Sequence, residues 1–204
     1  MFAGRHVTVS SSANGAYDYS VAADAGSTAV AVPPAALFVP DYARHFATSE
    51  LWIWQSQNNF YSGNAPDHIN HGVYDDIAAE VRRTRGQRIL IFGLLPDASW
   101  VPGTPQYTAV RAFNAGLKAR WPDHYVQDTQ GRDPLARMLA SGNGSEGDRA
   151  DVAHGVTPRS LRRDNGGGAI DSLHLGPAGN AAIVALAAEY RRLQQPPTAT
   201  ANSK

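Results

Sequence analysis

The chain has 204 residues, enough for one full hydrophobic core and short of the length at which two ordinary domains become the default. Lys plus Arg balance Asp plus Glu at 18 each, so no whole face carries the field that attracts nucleic acid or an anionic membrane. With no cysteine, disulfides, thiolate metal sites and cysteine nucleophiles are excluded.

The N-terminal residues Met1 to His6 have neither a basic stretch leading into an apolar one nor a cleavage signature, so no secretory signal is expected. The longest apolar runs, such as Ile89 to Leu95, are too short to cross a bilayer. The expectation is a soluble protein, with its compartment left open.

Residues 1–49 read as a β-rich appendage resembling an insertion. His6-Val7-Thr8-Val9 and Thr28-Ala29-Val30-Ala31-Val32 are β-like runs, separated by Asn14-Gly15 and Ala25-Gly26 turn signals and closed by Pro33-Pro34. From Leu51 onward, apolar strands alternate with helical periodicity, which is the pattern of βα units around a parallel sheet. This α/β body is expected to occupy residues 50–194, and residues 195–204 form a polar, proline-containing tail with the composition of disorder.

Leu51-Trp52-Ile53-Trp54-Gln55 is apolar at nearly every position, as a strand covered on both faces should be. Val73, Ile77, Ala78 and Val81 then mark one helical face. Asp75, Asp76 and Glu80 come early and Arg82, Arg83 and Arg85 late, as the helix dipole favours, and Gly86 supplies a stop. Ile89 to Leu95 reads as a second buried strand ended by Pro96. Pro105 opens a helix with Tyr107, Val110, Phe113, Asn114 and Leu117 on one face, closed at Trp121-Pro122.

His124 to Asp128 reads as a short third strand and Asp133 to Leu139 as a brief helix. Ser141 to Gly168, rich in glycine, asparagine and charge, reads as a long loop of the kind that is functional or mobile. A last helix from near Pro177 is expected to bury Ile183, Leu186, Ala187, Tyr190 and Leu193.

Chemistry in open α/β sheets gathers at strand ends, and two sites qualify. Ser56-Gln57-Asn58-Asn59 follows the first strand, where a side-chain amide can donate to a developing oxyanion. Serine and asparagine after a strand are also ordinary turn formers. The second site is Asp171-Ser172-Leu173-His174, behind the glycine-rich Asn165-Gly166-Gly167-Gly168 and ahead of the last helix. A spacing of three lets the Asp171 carboxylate hold Nδ1 of His174 and leaves Nε2 facing a cavity as a general base. A histidine before a helix is also a common surface or capping residue.

Other groupings carry less. Asp67-His68-Ile69-Asn70-His71, read on a loop after Pro66, defines no coordination geometry, so no metal is assigned; the alternative reading is a polar rim. Trp52 and Trp54 share a strand face and read as core, whereas Phe60, Tyr61 and Trp100 are candidates to line an acyl or sugar pocket.

Together the two strand-end blocks resemble the SGNH hydrolase superfamily of GDSL-type esterases and lipases. In that family a strand is followed by a GxND block, and a DxxH block precedes the last helix. Here they correspond to Ser56-Gln57-Asn58-Asn59 and to Asp171-Ser172-Leu173-His174, and the resemblance covers roughly Leu51 to Leu193. Thr157-Pro158-Arg159-Ser160-Leu161, ahead of the DxxH block, looks like the phage and prophage branch. The resemblance implies a flavodoxin-like three-layer α/β/α sandwich. It also implies hydrolysis of carboxylic esters such as O-acetyl groups of glycans, with His174 as base, Asp171 orienting it, Asn58 as oxyanion donor and no cofactor.

The chain departs from the pattern at several points. Ser56 stands where the family has glycine and Asn59 where it has aspartate, and no Gly-Asp-Ser block carries the nucleophile. The block whose glycine completes the oxyanion hole is missing too. Ser10-Ser11-Ser12 reads as hairpin chemistry, and Ser62 and Ser172 are no better supported as substitutes. A truncated domain whose missing strands come from a partner chain is one expectation. A non-catalytic remnant, or a structural or carbohydrate-binding protein of a phage particle, is the alternative.

Overall fold

The computed structural model describes residues 7–11, 19–23, 49–55, 57–60, 66–83 and 88–195. The chain divides into two compact units, Met1–Ser49 and Glu50–Lys204. In the first, strand β1 (Val7–Ser11) pairs antiparallel with β2 (Tyr19–Ala23), from Val7 opposite Ala23 to Ser11 opposite Tyr19. Ser10 and Ser11 therefore lie within a strand ladder. The expected run Thr28 to Val32, the turn signals, Ser12, Ser62 and the tail beyond Gln195 fall outside the described residues.

The second unit begins with β3 (Leu51–Ile53), a 3₁₀ turn (Gln57–Phe60) and helix α1 (Pro66–Arg83). Strand β4 (Ile89–Ile91) pairs parallel with β3, Leu51 opposite Ile89 and Ile53 opposite Ile91. Helix α2 (Pro105–Arg120) opens on a Thr104 cap whose hydroxyl accepts from Tyr107 N–H, and it closes at Trp121 as Pro122 requires. The remaining elements are α3 (Pro134–Leu139), α4 (Glu146–Ala153), a 3₁₀ turn (Arg159–Leu161), β5 (Arg162–Asp164), β6 (Ile170–Leu175) and α5 (Pro177–Leu193).

The parallel ladder is shorter than the apolar runs suggest. Ile89 to Leu95 is apolar throughout, yet β4 stops at Ile91, and Leu94 instead gives its N–H and C=O to the buried side-chain amide of Asn114, both at 2.8 Å. An amide from a helix thus takes the place of a neighbouring strand. The expected third strand shrinks to a single parallel bridge between Ile91 and Tyr125. The reason is local: Trp121 C=O accepts from both His124 N–H (3.0 Å) and Tyr125 N–H (2.8 Å), so the chain is still turning out of α2 when it reaches the sheet.

Alternation along β4 divides the core. Ile89 and Ile91 join Ile53, Ile77, Val110, Phe113 and Leu117 against α1 and α2, while Leu90 and Phe92 join Leu135, Met138, Ile183 and Leu186 against α3 and α5. Helices therefore pack on both faces of β4. At the end of α5 Leu193 is 51% exposed, contrary to the expectation that it is buried, because the apolar stripe ends at Tyr190.

The long loop expected from Ser141 to Gly168 is ordered instead. Ser145 caps α4 through its hydroxyl, and two carboxylates on α4 hold the chain that follows. Asp148 accepts from Asn143 N–H (2.7 Å), Ser160 N–H (3.0 Å) and the Ser160 hydroxyl; Asp151 accepts from Arg159 N–H (2.8 Å) and Arg162 Nη2 (2.8 Å). Polar composition misled the reading here, because these buried acids act as internal caps for backbone that has no strand partner.

Candidate functional site

Asp171 and His174 were expected on a loop; they lie within β6, on a large bulge. Arg162 pairs with Leu175 and Asp164 with Ile170, so Arg163 alone opposes the four residues Asp171 to His174. The β5–β6 connection is tight: Asn165 N–H donates to Ala169 C=O at 2.8 Å across Gly166, Gly167 and Gly168. All three glycines have positive φ, a backbone region that disfavours any side chain.

Within the bulge, Asp171 Oδ1 accepts from the backbone N–H of His174 (2.7 Å) and of Leu173 (2.9 Å), folding the segment into a turn around its own carboxylate. His174 Nδ1 lies 3.1 Å from each carboxylate oxygen. The spacing of three thus gives the hydrogen-bonded pair. The backbone N–H groups of His174 and then Leu173 hold the Asp171 carboxyl well below the usual carboxylate range, outweighing desolvation, with the imidazole adding to the effect. His174 itself is 64% exposed at its side chain.

Three further groups hold the bulge. Arg163 Nη2 reaches Asp171 Oδ2 at 2.8 Å, so the carboxylate is shared between a guanidinium and the imidazole. Buried Arg162 spans from Asp151 to the Asp171 carbonyl, donating to the latter through Nη1 at 3.1 Å. Ser172 donates its hydroxyl to Asp97 Oδ2 at 2.6 Å and accepts Ala98 N–H at its carbonyl at 2.8 Å. Ser172 is therefore engaged as a tether in this arrangement.

A pocket of about 250 Å³ lies at the carboxyl ends of β3 and β4. Trp54, Leu94, Leu95, Leu173 and Leu175 give it apolar walls, and Gln57, Asn180 and His174 are its polar lining. The block after β3 and the histidine of β6 thus meet at one cavity through Gln57, whose Nε2 donates to Leu95 C=O at 2.8 Å. Asn58 sits beside Gln57 in the 3₁₀ turn, while its side chain, that of Asn59 and all of Ser56 lie outside the described residues.

The aromatic assignments reverse. Phe60 and Trp100 are buried in the core, where Phe60 meets Phe113 edge-on at 5.7 Å, so neither lines the pocket. Trp52 and Trp54, read as core, are 39% and 40% exposed, each resting one side on Phe92. Trp52 lies on the outermost strand of the described parallel ladder and Trp54 just after it, where their face is only partly covered. Tyr61 lies outside the described residues.

Asp67 to His71 belong to α1 rather than to a loop, and Pro66 opens that helix. The side chains of His68 and His71 lie outside the described residues. Among the described residues no cluster of three or more metal-ligating side chains occurs, and no helix is long and apolar enough to cross a membrane. Sequence reasoning named the block that contains Gln57 but missed Asn180, Asp97 and Arg163 as parts of the site. Arg163 stood close to quoted motifs, whereas nothing linear relates Asp97 to Ser172, 75 positions later.

The chain is similar to the tail spike protein of Salmonella phage epsilon15, with 35% identity over 103 residues. That match covers 50% of this chain and 9% of the tail spike protein. No family model and no solved structure matches the chain.

Proposed function

We propose that the unit from Glu50 onward is a flavodoxin-like three-layer α/β/α domain of the SGNH hydrolase type. Its proposed role is hydrolysis of carboxylic esters, O-acetyl groups of a glycan among them. The observation that carries this reading is the His174–Asp171 pair opening on an apolar-walled pocket at the strand ends. In the proposed reaction His174 removes the proton of a serine hydroxyl as that oxygen attacks the ester carbonyl. Asp171 holds the imidazole, and amides from the Gln57–Asn58 turn stabilise the oxyanion. Collapse of the tetrahedral intermediate expels the alcohol, which takes the proton back from His174, and water then releases the acid by the same route.

Among the described residues that line the pocket there is no serine. The proposed nucleophile comes on a segment that pairs with the open side of β3, from a partner chain or from a longer form of this polypeptide. In the parallel register Leu51 N–H and Ile53 C=O point to β4, which turns the backbone groups of Trp52 outward. Among the described residues nothing pairs with them.

The second reading, a non-catalytic structural or carbohydrate-binding part of a phage particle, is favoured by the similarity to a tail spike protein. Hydrolysis of a small aryl ester by this chain, compared with His174→Ala, separates the two. The esterase reading expects the parent to exceed the variant by at least roughly 10²-fold when the missing segment is present. Equal rates under that condition leave the non-catalytic reading.

A further inference from the structure

The ladder between β5 and β6 is interrupted over the four residues that carry Asp171 and His174, so sheet pairing does not fix where the bulge points. The contacts between Asp171 Oδ1 and the N–H groups of Leu173 and His174 are internal to the bulge; they set its shape and leave its placement free. Arg162 and Arg163 attach it at the Asp171 end. At its apex the contacts to the pocket wall run through Ser172 to the loop that follows β4.

That loop is hydrogen-bonded within itself at the point of contact. Asp97 is 3% exposed, and its Oδ1 accepts both the N–H (2.8 Å) and the hydroxyl (2.7 Å) of Ser99, leaving Oδ2 aimed at the Ser172 hydroxyl at 2.6 Å. Ala98 N–H closes a second bond to the Ser172 carbonyl at 2.8 Å. The same stretch of chain contributes Leu94 and Leu95 to the pocket wall. A buried carboxylate on the wall thus grips the apex of the bulge that carries the imidazole.

We infer that Asp97 and Ser172 are positioning residues that set His174 against the pocket, a conclusion that rests on the reading of His174 as the general base. Neither residue touches the reacting atoms. Their loss leaves the Asp171–His174 hydrogen bond intact and frees the pair to move as a unit relative to the wall. This predicts loss of turnover at nearly unchanged substrate affinity, since the walls given by Trp54, Leu94 and Leu95 stay in place while Leu173 moves with the bulge.

The test compares Ser172→Ala, Asp97→Asn and Ser172→Thr by ¹⁵N relaxation dispersion and, with the nucleophile-bearing segment supplied, by p-nitrophenyl acetate hydrolysis. Ser172→Ala and Asp97→Asn are expected to give microsecond-to-millisecond exchange confined to residues 171–175. Both should lower kcat by roughly 10- to 100-fold with KM within about twofold, and Ser172→Thr, which keeps the hydroxyl, should restore both readouts. Relaxation profiles identical to the parent in Ser172→Ala and Asp97→Asn overturn the inference. If His174→Ala leaves hydrolysis unchanged with that segment supplied, the esterase reading falls, and the relaxation data alone then decide whether the pair anchors the bulge.

Discussion

Asp148 never reaches the pocket, yet it decides whether the segment leading to the site exists as observed. Burial opposes its ionisation, and this is outweighed by the Ser160 hydroxyl, Ser160 N–H and Asn143 N–H, which hold its carboxyl below the usual carboxylate range. Removing the acceptor as Asp148→Ala strands three donors, so a loss of about 3 kcal/mol is expected in urea unfolding. Asp128 and Asp151 are depressed in the same sense, each by arginine and backbone donors that outweigh burial. A carboxylate with a lowered folded pKa binds fewer protons folded than unfolded, so its contribution is full above the unfolded value of about 3.9 and vanishes as pH falls through the folded one. Melting temperature should therefore be nearly flat above about pH 5 and fall below about pH 4, and Asp148→Asn should flatten that acid limb.

At the scale of elements, α5 is the part most legible in the sequence. Pro177 at its start and the buried Ile183, Leu186, Ala187 and Tyr190 stripe fall where periodicity puts them. Gly179 has a role that periodicity does not reveal: a Cβ there would meet the Leu161 carbonyl oxygen at 2.3 Å. The helix start is thus seated on the 3₁₀ turn that precedes β5. Gly179→Ala should cost about 1–3 kcal/mol by forcing that turn away, measurable as a lower urea midpoint at unchanged slope. The Asp171–His174 pair was legible because its spacing is local. The order between Ser141 and Gly168 was not, because it depends on Asp148 and Asp151 finding Ser160 and Arg162 across a turn, and composition alone cannot tell a buried acid from a solvated one. The strand lengths were overread for a related reason: Leu94 looks like ladder residue in a linear text, and only the fold brings Asn114 to it.

For the whole molecule, the side of β3 away from β4, which has no pairing strand among the described residues, sets the behaviour to expect in solution. Outward-facing backbone groups beside two half-covered indoles form the kind of strand edge that recruits another chain. Sedimentation velocity on this chain alone should detect concentration-dependent self-association, and Trp52→Lys, which places a charge on that edge, should weaken it. Loss of the association when a pairing segment is supplied would identify the edge as its seat.

The location of Trp54 has one more consequence. Its ring is a wall of the cavity that His174 faces and is also open to water, so any molecule entering the cavity displaces solvent from an indole. The protein thus carries an intrinsic fluorescent reporter of occupancy, read as the emission lost on Trp54→Phe, and candidate acyl or sugar ligands can be ranked by titration before any turnover assay exists.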